Sequence, residues 1–169
     1  MNPHAVKVTL TKYEMDMAAG VAVRRQIDAV YAGRIDTVNT KSFSEGMSAH
    51  LLGSIGELSV AKALGVYWSG GVNTFRSSAD IALDVEVRHR SSHGWDLIVR
   101  SEDLDKKHYV LSTGDGPGII VHGYIQGLLA KDVRWVRTYG GKRPAYFVPS
   151  DELRDINELR QLLHGESSR

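Results

Sequence analysis

The hydrophobic period of this chain changes from helical to alternating at Gly70-Gly71, and that change limits the fold more than any other feature. Upstream, apolar residues recur at helical spacing. Downstream they alternate, as they do in strands with one buried face. Residues 6–10 alternate weakly and read as a short strand. Thr11-Lys12-Tyr13-Glu14 then has the form of a capping box, in which Thr11 caps the helix and Glu14 reaches back to its amide. The helix carries Ala19, Val23, Ile27, Val30 and Tyr31 on one stripe, which is expected to face the core, and Gly33 is its natural stop.

Residues 34–46 are polar and read as a connection. A second helix is expected over 47–64, with Leu51, Ile55, Leu58 and Leu64 on its apolar side and Gly65 at its end. Gly53, Gly56 and Ala63 keep part of it thin enough to approach a sheet closely. After the switch, 72–75, 80–90, 96–99, 109–112 and 119–125 read as strands, with a turn at 114–118. A last helix starts near Pro149-Ser150-Asp151 and turns Leu153, Ile156, Leu159, Leu162 and Leu163 inward. Helix, helix, strands, helix is the order of an α/β (α+β) protein with a central mixed sheet flanked by helices. One domain over 1–164 is expected, with a disordered tail at 165–169.

The chain has 169 residues, enough to bury a core without disulfide or metal staples. It has no cysteine, which removes disulfides, thiolate zinc sites and cysteine nucleophiles, and suits a reducing cytoplasm. The most apolar run, 118–130, is interrupted by His122 and Gln126 and is shorter than the roughly 20 residues of a membrane helix. No secretory signal opens the chain. A net charge of +1 gives no global attraction to nucleic acid, so any such affinity must come from local patches.

Two places hold acids where a plain fold does not need them. Glu57 has Gly53, Val60 and Ala61 as its helical neighbours, which puts a carboxylate on or beside the buried side. A partly exposed flank residue is the plain alternative. In 80–88, Ile81, Leu83, Val85 and Val87 alternate with Asp80, Asp84, Glu86 and Arg88. An ordinary solvated face would do the same. As one straight strand, Asp80 and Glu86 would stand about 20 Å apart at 3.3 Å per residue. They meet only if the chain folds back. A three-residue connection through Ala82-Leu83-Asp84 sets Asp80 opposite Glu86 on one face, and a two-residue connection sets them on opposite faces. With no turn, Asp84 replaces Asp80 as the partner of Glu86.

The order of these pieces resembles the PD-(D/E)XK nuclease superfamily. Gly53-Ser54-Ile55-Gly56-Glu57 looks like its first core helix, Ala79-Asp80 like its "PD", and Glu86-Val87-Arg88 like its "(D/E)XK". More narrowly, the chain is similar to small phage-encoded proteins of this type, which would place it in the host cytoplasm. The resemblance implies a restriction-endonuclease-like core and a magnesium- or manganese-dependent DNA nuclease. Glu57, Asp80 and Glu86 would hold the metal, and Arg88 would act on the scissile phosphate. Two departures stand out. Alanine replaces the proline before Asp80, and Arg88 replaces the family's lysine. Arginine stays protonated and cannot serve as a general base, although it can clamp a phosphate. The same resemblance therefore also admits a catalytically inactive DNA-binding or protein-interaction module.

Arg88, His89, Arg90 and His93 form a basic cluster after the motif, suited either to a nucleic-acid backbone or to a solvated strand end. Arg90, His93, Arg76, Lys142 and Arg143 are the candidate DNA contacts. The region of Lys131, Arg134, Arg137, Lys142 and Arg143, with Trp135 and Tyr139 interleaved, can grip DNA or simply anchor a long loop. A homodimer is compatible with the sequence, but nothing in it marks a dimer surface.

Overall fold

The computed structural model describes residues 2–33, 42–71, 81, 84–141 and 143–166. Strand β1 (Val6–Thr9) leads into helix α1 (Lys12–Tyr31), whose N-terminus carries the expected capping box between Thr11 and Glu14. Helix α2 (Phe43–Leu64) starts four residues earlier than its apolar pattern predicts. Ser42 and Glu45 form a second capping box there, and Gly65 ends the helix in the left-handed conformation. The remaining elements are β2 (Val85–Arg90), β3 (Leu97–Val99), β4 (His108–Thr113), β5 (Gly118–Gln126), the single turn α3 (Gly127–Ala130), β6 (Val136–Arg137), β7 (Ala145–Val148) and α4 (Ile156–Glu166).

Among the described residues the strands form two sheets. The first has the order β1-β5-β4-β2, with β2 parallel to β4 and the other pairs antiparallel. The second, β3-β7-β6, is antiparallel. The protein is thus a mixed α/β structure with helices and sheets of mixed orientation. The strands β6 and β7 lie in a stretch that reads as a loop from sequence, because two and four residues are too few to show a period.

The central strands of the first sheet, β4 and β5, are buried on both faces. One face meets α2 and α4, where Val85, Val87, Val110 and Val121 pack with Ile55, Leu58, Leu64, Ile156 and Leu159. The other face meets the second sheet, where Tyr109, Leu111 and Ile125 pack with Leu97, Val99 and Val148. From Ser54 to Ala61 every residue of α2 is buried, because the sheet covers one side of it and α1 the other.

Helix α1 departs from expectation. Its buried residues are Ala18, Ala22 and Gln26, while Val23, Ile27, Val30 and Tyr31 are exposed. The small side chains face α2 because they let the two helix axes come close. Gln26 lies where a Cβ on Gly46 would stand. Two smaller corrections follow the same logic. Leu162 of α4 is half exposed, leaving Leu153, Ile156, Leu159 and Leu163 as the inward set, and Gly53 faces open space rather than the sheet.

Candidate functional site

A tight reversal creates the site's main strand. Ile81 forms an antiparallel bridge with Val85, so the chain reverses between them. Asp84 has φ +60°, a left-handed value that aspartate tolerates better than most residues. A left-handed third loop residue is the usual way to close a three-residue hairpin. Val85 and Val87 then point into the helical core, and His89 lies against Gly56 of α2. By alternation, Glu86, Arg88 and Arg90 occupy the opposite face of β2, the edge strand of the first sheet.

On that face Glu86 is held by two cations. Lys107 Nζ donates to its Oε1, and Arg88 Nη1 stands 3.7 Å from its Oε2. Arg88 also donates to Asp103 Oδ2 at 3.0 Å and lies over the Tyr109 ring, 5.0 Å from its centroid. The loop that supplies Asp103 and Lys107 is fixed from below. Lys131 Nζ donates to the carbonyls of Ser101 and Asp103 and to Asp105 Oδ1. The Arg100 amide donates to Asp103 Oδ2 at 2.9 Å. Two carboxylates and two cations therefore balance on one face, with Tyr109 beneath them. Burial, and then the Asp103 carboxylate, push the Tyr109 hydroxyl up to about 12.

Glu57 does not join this group. It belongs to α2, on the helical side of the sheet, and Glu86 lies on the other side. Arg25 of α1 grips its carboxylate with both terminal nitrogens, at 2.7 and 2.8 Å, and the Trp68 indole donates to Oε2 at 3.0 Å. Arg25 is itself held by the Gly71 carbonyl through Nε at 2.9 Å. Glu57 is thus a buried acid with a fixed cation, which leaves its oxygens little capacity for a metal.

Asp80, Arg76 and Lys142 lie outside the described residues. Arg90 stacks on the half-exposed Trp95, 4.1 Å from its centroid, and burial lowers its proton affinity against the opposing effect of Asp96. Arg143 is exposed on the connection between β6 and β7, on the second sheet rather than beside Glu86. The other basic residues of that region are engaged locally: Arg134 with Asp132 and the Trp135 ring, and Arg137 with the carbonyls of Arg134 and Val136.

The two histidines of the basic cluster point to opposite faces. His89 contacts Ser112 Oγ and the Gly114 carbonyl, both at 2.9 Å, and burial lowers its pKa. His93 Nδ1 lies 2.6 Å from Thr113 Oγ1, whose other neighbour is His122 Nε2 at 2.7 Å. His122 is the extra residue where the β4–β5 register shifts. It is buried, its Nδ1 has no hydrogen-bond partner among the described residues, and burial followed by the nearby His93 lowers its pKa. Among the described residues no three histidine, aspartate or glutamate side chains gather closely enough to hold a metal ion.

Sequence reasoning missed Asp103, Lys107 and Tyr109 at this site, although for Lys107 a signal existed. Lys107 continues the alternation of Tyr109 and Leu111, and so shares their face, while Lys106 does not. Arg25 carried no such signal, because nothing in the α1 pattern separates it from Arg24. No helix of the described residues is long and apolar enough to cross a membrane. No family model matches this chain, and neither a curated protein nor a solved structure matches it.

Proposed function

We propose that the chain is a metal-dependent DNA nuclease of PD-(D/E)XK type, with Glu86 at the centre of its site. The support is the register of the 81/85 bridge. A three-residue connection is the one expected to set Asp80 opposite Glu86, and along the strand that follows Glu86 and Arg88 share one face beside Lys107. Glu57 is left out of the metal shell because Arg25 and Trp68 already occupy its carboxylate. Glu86 and Asp80 are then the ligands. Two carboxylates suit magnesium, which keeps several waters. The bound cation would polarise the phosphodiester and lower the pKa of a water.

The chain's own residues supply the rest. Arg88, anchored on Asp103, presents a guanidinium to a phosphate oxygen. Lys107 supplies the compact ammonium that the motif position lacks, and stabilises charge developing beside Glu86. Arg90 and His93 continue along the same strand and turn as backbone contacts.

A second reading rests on a specific observation: Glu86 is already neutralised by Lys107 and Arg88. A site with no spare negative charge suits a module that binds DNA without cutting it. One experiment separates the two. Purified protein is incubated with plasmid, linear and branched DNA, with magnesium, with manganese and with EDTA. A nuclease should cut only with metal. Glu86→Gln and Lys107→Met should each lose about a hundredfold or more of the rate, while Arg88→Lys should keep part of it. DNA binding that ignores EDTA, with no cleavage, would establish the second reading.

A further inference from the structure

We propose that the outer face of α1 is a self-association surface, on which a second copy of the chain lays its own α1 antiparallel about a two-fold axis at Gly20. This inference is independent of the nuclease reading. The face opposite Ala18, Ala22 and Gln26 is apolar and open. Tyr13, Met17, Val23, Ile27, Val30 and Tyr31 are all large hydrophobic residues on it, and all are exposed, Tyr31 to 89%. Positions 13, 16, 20, 23, 27 and 30 advance by three and four residues alternately, which is the spacing of a helix–helix seam. The stripe runs about 27 Å at 1.5 Å per residue. Monomeric proteins seldom leave a continuous apolar band of that kind in water.

The charges inside the band say what covers it. Asp16 and Arg24 lie in the stripe, four residues before and after Gly20. Under a two-fold axis at Gly20, the residue k positions before it faces the residue k positions after it in the other copy. Asp16 of each copy then faces Arg24 of the other, Met17 faces Val23, and Tyr13 faces Ile27. The two charged positions, Asp16 and Arg24, each meet their opposite, and the four central apolar positions meet one another, while Val30 and Tyr31 extend past Lys12, the first residue of the other copy's α1. A parallel pair would instead oppose Asp16 to Asp16 and Arg24 to Arg24. An axis moved one turn, to Arg24, would press two guanidiniums together. Asp16 bonds Lys12 at 2.9 Å within its own helix, and Arg24 has no ion pair among the described residues. The other copy's Asp16 would supply one.

Gly20 marks the crossing. A Cβ added there would have nothing within 4 Å, so the backbone is bare on its outer side. Two glycines at the axis let the helices approach as small residues do at tight helix crossings. A single helix pair is a small interface, which sets association in roughly the micromolar range.

Sedimentation velocity over a range of concentrations tests the proposal. The chain should pass from monomer to dimer as concentration rises. Val23→Glu with Ile27→Glu should keep it monomeric with an unchanged melting temperature, because both residues are exposed. Asp16→Arg alone and Arg24→Asp alone should each weaken association about tenfold. The combined Asp16→Arg, Arg24→Asp protein should regain most of it. A Gly20→Cys protein gives an independent readout, because the chain contains no other cysteine. A disulfide needs Cα atoms within about 6.8 Å, so mild oxidation should give a covalent dimer on a non-reducing gel. A wild-type chain that stays monomeric up to roughly millimolar concentration gives the face to some other occupant and overturns the proposal. So does a dimer that survives the double glutamate variant unchanged.

Discussion

A buried carboxylate is tolerable only with a fixed cation, and Glu57 shows what that arrangement implies. Its carboxylate accepts two bonds from Arg25 and one from Trp68. Both partners of the ion pair are mostly buried, with side-chain exposures of 18% for Arg25 and 11% for Glu57. The desolvation of such a pair offsets much of its attraction, whereas removing one partner leaves the other charge stranded. Arg25→Ala should therefore cost about 3–5 kcal/mol in urea unfolding. Removing both charges with Arg25→Ala, Glu57→Ala should cost less than the single change. If the single variant unfolds like wild type, Glu57 has another partner and its exclusion from the metal shell fails. The sequence shows Glu57 as an oddity because its helical neighbours are small and apolar. It does not show the reason, because the cation comes from a different helix and from one of two adjacent arginines.

Periodicity locates an element but does not orient it when both of its faces are apolar. Helix α1 illustrates this. Val23, Ile27 and Val30 form the more hydrophobic stripe, yet Ala18, Ala22 and Gln26 are buried because α2 demands close approach. In the first sheet β2 was legible because its buried valines alternate with polar residues, and β4 and β5, buried almost throughout, because they are apolar runs bounded by a glycine-rich turn. The hairpin was legible as a set of alternatives, and the 81/85 bridge selects one of them. The earlier start of α2 was legible too, since Ser42-Phe43-Ser44-Glu45 is a capping-box sequence, but it sits in a polar stretch with no apolar period to draw attention. Close approach also explains Gly56. A Cβ there would stand 2.6 Å from Cβ and Cγ of His89, on the strand that carries Glu86. Gly56→Ala should therefore push β2 away from α2, at a cost of about 1–3 kcal/mol. Gly53→Ala, on the same helix with open space around it, should be neutral or slightly stabilising. Thermal melts of the two variants give the comparison. Equal losses would mean that helix propensity, and not the sheet contact, decides.

At the scale of the whole molecule, burial within the first sheet sets how stability varies with pH. His89 and His122 sit inside it with pKa values lowered below 6.5, chiefly because burial disfavours the imidazolium. Between the lowered native value and 6.5 the unfolded chain binds protons that the native chain refuses. Stability then rises with pH in that interval. The contribution is fully present above about 6.5 and is lost as pH falls toward the native values. Tyr109 acts at the other end. Its native pKa is raised to about 12 from 10.0, so the native state resists ionisation that the unfolded chain accepts. That contribution is whole below pH 10 and declines as pH rises from there to about 12. The melting temperature should thus be flat between about pH 7 and 9.5 and fall on both sides. On the acid side the fall begins well above the range in which carboxylates such as Glu14, held below 4.5 by Lys62, start to protonate. His122→Gln separates the histidine contribution. Its amide can still bond Thr113 Oγ1, but it cannot take up a proton. The variant should lose less stability than wild type between pH 7 and 5, and match its slope above pH 7. An acid limb as steep in His122→Gln as in wild type would exclude His122 from it and leave His89 as the titrating group.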